Sequence, residues 1–282
     1  MSIAIVTDST ADIPPELAHT WQIHVVPTIL IIQGQEYLDG EGLSRQDYYT
    51  RLPALNPPPT TATPAVGAFE RLYRRLLEAG HEHIISIHLA RSLSGVYQAA
   101  SIAAQNIQQA AITLVDSGQI TLGLGFQVLE AARSARQNLS AAAILARIHA
   151  MQPRIRVLAM LDTLEYLRRS GRVSWARAAL GSLLNIKPFV ALQNSVVLPA
   201  GQTRTRRKGL ETLQSRLNTL GALEWLAVLH SNAEADARAL LAACLQPVAN
   251  PPLVINITPV LGTHVGPKGV GFAAVIAPPG TT

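Results

Sequence analysis

Cysteine is nearly missing from this sequence. Cys244 is the only one, which excludes an internal disulfide and a cysteine-based metal site. Its setting among Leu240, Leu241, Ala242, Ala243 and Leu245 predicts a buried helix residue. Aromatic residues are scarce too, at 5%. Proteins that hold single-stranded nucleic acid stack bases on such side chains, and no DNA or RNA recognition motif is present. The net charge of +5 therefore does not point to a nucleic acid. Long apolar runs are absent as well. A spanning helix needs ~20 mostly apolar residues, whereas the longest run here covers only 25–32 and contains Pro27 and Thr28. Asp8 and Asp12 stand where a signal peptide would need its apolar stretch. These absences predict a cytoplasmic protein without stable membrane insertion.

What the chain has in quantity is apolar material, 48% of its 282 residues against 15% charged. That suffices for a large core and a lined cavity, and the length predicts two domains. Strand and helix patterns alternate from end to end. Strands are predicted over 3–7, 25–32, 84–89 and 112–115, with helices opening at Pro14, running from Pro64 to Gly80, following Gly95, and flanking Asn138. Beyond Pro153 the pattern gives a strand over 157–161, a short helix over 163–169, and a hairpin over 188–199 turning at Gln193-Asn194-Ser195. A helix around Leu213 follows, then strands over 225–230, 253–257 and 270–276. The expectation is an α/β chain, residues 1–152 with a mostly parallel sheet and residues 153–282 with a mixed one.

In open α/β sheets ligands bind at the carboxyl ends of strands, and here those ends carry hydroxyls. Ser94 and Gly95 stand at a strand-to-helix turn, where free N–H groups either accept a cap or hold an anion. His264 is surrounded by Gly262, Gly266, Gly269 and Gly271, which predicts an open loop presenting its side chain to a cleft. Ser94 and His264 with Asp8 or Asp116 could compose a nucleophilic triad, giving a serine-type lipid esterase as the alternative, although no Gly-x-Ser-x-Gly elbow supports it. Other motifs fail. Gly266-Pro267-Lys268 lacks the ending of a phosphate loop, and Gly123-Leu124-Gly125 lacks the third glycine of a dinucleotide fingerprint. His81-Glu82-His83 has no further metal ligands and reads as a solvated turn. Basic residues gather in Leu167-Arg168-Arg169-Ser170-Gly171-Arg172 with Arg177, and in Arg204-Thr205-Arg206-Arg207-Lys208; each is either a solvated face or a docking surface.

Six segments, in order, carry a resemblance. They are Thr7-Asp8-Ser9-Thr10-Ala11-Asp12, Thr61-Ala62-Thr63-Pro64, Leu93-Ser94-Gly95-Val96-Tyr97-Gln98, Asp116-Ser117, Leu164-Glu165-Tyr166-Leu167-Arg168-Arg169-Ser170-Gly171-Arg172, and Gly262-Thr263-His264-Val265-Gly266-Pro267. Along nearly its whole length the chain resembles the DegV family, and so the fatty-acid-binding subunits of bacterial fatty acid kinase. Lys268 stands where the family has glycine. The resemblance implies a two-domain α/β fold with a long-chain fatty acid, palmitate- or oleate-like, at or near the domain interface. It implies that Thr61, Ser94 with Gly95, and His264 hold the carboxylate, and that Arg169 and Arg172 belong to the head-group region or to a partner contact. It further implies no catalytic residues, metal or cofactor. The partner it implies is a separate ATP-dependent kinase subunit that makes an acyl phosphate for phospholipid synthesis.

Overall fold

The computed structural model describes residues 2–107, 111–178 and 186–279. It divides into two compact units, Met1–Ile29 with Ala62–Pro153, and Leu30–Thr61 with Arg154–Thr282. The sequence pattern suggests one crossing near 152; residues 30–61 add an excursion into the second unit.

Proline causes the first departure. The predicted strand over 25–32 is two strands, split at Pro27. After β1 (Ile3–Asp8) and α1 (Pro15–Thr20), β2 (Ile23–Val26) pairs with β1, while β3 (Ile29–Ile32) joins another sheet. Pro27 has no N–H for a ladder, so pairing stops there. β3 turns through Gln33 and Gly34, both at positive φ, into β4 (Gln35–Leu38), as a tight hairpin requires. The helix α2 (Arg45–Arg51) follows, and β5 (Thr60–Ala62) completes a three-stranded sheet. The sequence pattern does not reveal α2, which is short and largely polar. Its start is fixed by Ser44, whose Oγ accepts from the Asp47 N–H at 3.0 Å.

The first unit resumes with α3 (Val66–Glu78), which buries Phe69, Leu72, Tyr73 and Leu76 at helical spacing. Next come β6 (His83–His88), α4 (Val96–Gln105), β7 (Ala111–Asp116), α5 (Thr121–Arg136) and α6 (Ala141–Met151). The sheet order is β2-β1-β6-β7 and every pairing is parallel. A strand covered on both faces reads as continuous apolar sequence, and Ile84, Ile85 and Ile87 are fully buried. α5 is buried nearly all round. Gly125 is part of the reason: a Cβ there would meet the Ala11 carbonyl oxygen. This glycine serves packing, not a dinucleotide.

In the second unit β8 (Ile155–Met160), α7 (Glu165–Ser170) and α8 (Ser174–Ala178) lead to the hairpin of β9 (Lys187–Gln193) and β10 (Val196–Thr203). Its turn residues Asn194 and Ser195 sit at φ 48° and 63°. Then follow α9 (Arg206–Asn218), β11 (Leu223–His230), α10 (Glu234–Ala242), β12 (Leu253–Asn256), α11 (Pro259–Val265) and β13 (Val270–Ile276). The order is β10-β9-β8-β13-β11-β12, antiparallel except for β11 with β12. Met160, Phe189, Leu213, Val228 and Ala274 belong to its core. Cys244 differs from expectation: it lies just past α10 and is half-buried. Among the described residues no helix is long and apolar enough to cross a membrane.

Candidate functional site

His264 is not in a loop. It lies in the last turn of α11, a helix begun by the Thr258 cap and Pro259 and ended by Gly266 at φ 79°. The glycines that suggest a loop serve close packing. A Cβ on Gly262 would overlap the Tyr49 ring, and one on Gly266 would overlap the Tyr166 ring.

Thr61, on β5, comes to this helix from far away in sequence. Its Oγ1 lies 3.0 Å from His264 Nε2. His264 Nδ1 is buried and has no hydrogen-bond partner among the described residues. Burial pulls the imidazole pKa down to about 4, and the Arg172 guanidinium adds to the shift. The ring is therefore neutral near pH 7 and carries one proton. An orphaned buried N–H is less tolerated than an orphaned acceptor, so the proton belongs on Nε2. His264 then donates to Thr61 Oγ1, and the Thr61 hydroxyl proton remains free to donate to a ligand.

The pair faces a cavity of about 340 Å³, within the size range of small-molecule sites. Leu52, Pro58 and Pro59 give it apolar wall; Tyr166, Arg169 and Arg172 join Thr61 and His264 on its lining. The two arginines differ in what they can offer. Glu165 holds Arg168 at 2.8 Å and Arg169 at 2.7 Å. Arg172 follows Gly171, which ends α7 at φ 69°, and its Nη1 donates to the Ser170 carbonyl at 2.7 Å. Among the described residues no carboxylate pairs with Arg172, which is exposed. Its charge is available to an anion.

Four of the residues singled out from the sequence, Thr61, Arg169, Arg172 and His264, thus line one cavity. Ser94 and Gly95 belong to the other unit and are not on that lining. Gly95 precedes α4, and Ser94 Oγ accepts from the Val96 N–H at 3.4 Å. Thr63 Oγ1 stands 3.4 Å from where a Gly95 Cβ would be. The sequence pattern does not pick out Tyr48, Tyr166 or Thr263. Tyr166 and Thr263 do stand inside segments that carry the family resemblance, and for Tyr48 the Tyr48-Tyr49 doublet, in a chain poor in aromatics, offers a signal.

The aspartates of the triad alternative are engaged elsewhere. Asp8 Oδ2 accepts from His88 Nδ1 at 2.9 Å and the Leu89 N–H at 3.2 Å, and its Oδ1 accepts from the Thr10 N–H and hydroxyl. His88 Nε2 lies 2.7 Å from Ser86 Oγ, which lies 2.8 Å from the Tyr73 hydroxyl. This Asp-His-Ser array has the connectivity of a triad but is sealed in the core, with Asp8, Ser86 and His88 fully buried. Asp116 accepts from the Arg91 and Gly118 N–H groups. Among the described residues no acid orients the second nitrogen of His264, as the triad would need.

The remaining clusters are ordinary. His81 pairs with Ser2 and His83 with Thr113, both at 2.9 Å, and the described residues contain no group of three metal-ligating side chains. Arg206 is paired with Asp236, and Arg207 and Lys208 share Glu211. The side chain of Arg177 lies outside the described residues.

Comparison with known proteins agrees with the resemblance. The DegV family model matches residues 2–277. A DegV domain-containing protein of Deinococcus radiodurans is 38% identical over 213 residues, 76% of this chain and 75% of that one. A DegV family protein from Thermus thermophilus, whose structure is described for fatty acid binding, is 32% identical with a TM-score of 0.89, covering 98% of this chain and 100% of its own. DegV of Bacillus subtilis, described as a fatty acid binding protein, is 31% identical with a TM-score of 0.86 over the same shares. With the family model spanning nearly every residue and the fold shared throughout, this chain belongs to the DegV family.

Proposed function

We propose that the chain binds a long-chain fatty acid, palmitate- or oleate-like, and holds its carboxylate at the Thr61–His264 pair. The observation that carries this reading is the pair itself, 3.0 Å apart on a cavity that also offers apolar wall and the Arg172 guanidinium. The related proteins of Thermus and Bacillus described as fatty acid binders support it. The carboxylate accepts the Thr61 hydroxyl proton, His264 fixes that hydroxyl's orientation, and Arg172 supplies compensating charge. Ser94 and Gly95 are further head-group donors on the strength of the family resemblance. Burial of the acyl tail contributes more than the head group does, at ~0.8 kcal/mol per buried CH₂ or on the order of 10 kcal/mol gross for a long chain.

The protein carries no catalysis, metal or cofactor of its own in this reading. It works in the cytoplasm and presents the acid to a separate ATP-dependent kinase subunit, which forms an acyl phosphate for phospholipid synthesis. An exposed Arg172 at the cavity is suited to that contact. Esterase activity is the weaker alternative, because no acid among the described residues orients His264 Nδ1.

Solvent extraction of the purified protein followed by mass spectrometry tests the reading. A C16–C18 fatty acid in roughly equimolar amount is the expected result. No extracted acid, together with no uptake of added palmitate or oleate, would overturn it.

A further inference from the structure

The excursion Leu30–Thr61 supplies the site with more than Thr61. Tyr48 and Tyr49 on α2 are almost wholly buried, and both reach α11. Tyr49 donates to the carbonyls of Ile257 at 3.1 Å and Thr258 at 3.3 Å, and its ring fills the space Gly262 leaves open. Tyr48 Oη lies 2.6 Å from Thr263 Oγ1. Thr263 gives its own proton to the Pro259 carbonyl at 2.8 Å, so within the pair it accepts and Tyr48 donates.

This matters because α11 is only seven residues long. Such a helix does not hold itself together in water, and its orientation is set by what it packs against. Successive residues on a helix are turned by about 100°. A small rotation of α11 therefore swings the residue after Thr263 away from Thr61. We propose that Tyr48 is a positioning residue for the head-group site: its hydroxyl, acting through Thr263, sets the rotation of α11 and so aims His264 Nε2 at Thr61 Oγ1. One chain excursion thus carries both the hydroxyl that meets the ligand and the phenol that aims its partner histidine.

The binding consequence rests on the fatty-acid reading; the geometric one does not. Tyr48→Phe keeps the ring and removes the donor. In lipid-free protein the ¹⁵N resonances of the His264 ring should shift relative to wild type. Palmitate affinity should fall about fivefold, and this loss should vanish when Tyr48→Phe is made in a His264→Gln background. A purely structural role would weaken binding equally in both backgrounds. Unchanged His264 resonances, or an undiminished loss beside His264→Gln, overturns the proposal. If Tyr48→Phe does not fold, Thr263→Val removes the acceptor and must move the same resonances. Should the wild type bind no fatty acid, the proposed function fails, and the ring resonances still decide whether Tyr48 aims His264.

Discussion

His264 Nε2 is bound to Thr61 Oγ1 at 3.0 Å while its buried Nδ1 has no hydrogen-bond partner among the described residues. Burial of the ring keeps the imidazole neutral and dictates its pH behaviour. Burial, with Arg172 adding, lowers the pKa from 6.5 to about 4. The unfolded chain therefore takes up a proton before the folded one does. The stabilising effect is complete above about pH 6.5 and is lost as pH falls toward 4, by at most about 3 kcal/mol. Urea titrations across this window should show His264→Gln losing less stability than wild type. Binding of a carboxylate should raise the His264 pKa, as followed by NMR; a pKa unmoved by ligand would contradict carboxylate contact at this pair.

Thr61→Val keeps the shape and removes the hydroxyl. If Thr61 donates to an ionised carboxylate, affinity for palmitate should drop roughly ten- to hundredfold. Ser94→Ala, measured in the same titration, reports whether the first unit contributes a donor; a loss of at least tenfold is expected.

If Arg172 meets a kinase subunit, its removal should separate binding from presentation. Arg172→Ala should weaken palmitate binding only a few-fold, because the compensating charge it supplies is exposed and screened, yet lose phosphorylation when a kinase subunit and ATP are added. Arg169→Ala, whose guanidinium is already held by Glu165, should have the smaller effect. Equal turnover by wild type and Arg172→Ala would remove the docking role.

The sealed array around Asp8 should matter for stability. Every group described around its carboxylate is a donor: His88, Leu89 and Thr10. Asp8→Asn must turn an N–H toward one of them, and a loss of about 2–4 kcal/mol in urea unfolding is expected. Ser86→Ala should leave any ester hydrolysis unchanged, because Ser86 is fully buried.

Lys268 sits at φ 62°, where its Cβ is strained. Lys268→Gly relieves that strain at some entropic cost. Thermal unfolding should show a gain of a few tenths to about 1 kcal/mol.

Much of the fold is legible in the sequence because periodicity reports local burial. The buried stripe of α3, the apolar run of β6 and the turn at Asn194-Ser195 are each set by neighbours close along the chain. The misreadings come from long-range packing. Gly262 and Gly266 look like loop residues until the rings of Tyr49 and Tyr166 are placed against them. Pro27 is visible, but the hydrophobicity on both sides of it suggests one strand and conceals a change of sheet. Thr61 carries no local mark, since its partner lies 203 residues away; only the family pattern picks it out.

The excursion of Leu30–Thr61 into the second unit has a consequence for recombination. A single crossover near residue 152 between two relatives would join α11 of one parent to α2 and β5 of the other. Gly262 would then face whatever side chain the other parent carries in place of Tyr49, and His264 whatever it carries in place of Thr61. Chimaeras that exchange 30–61 together with 154–282 keep those partners co-inherited. They should fold and bind where single-crossover hybrids falter.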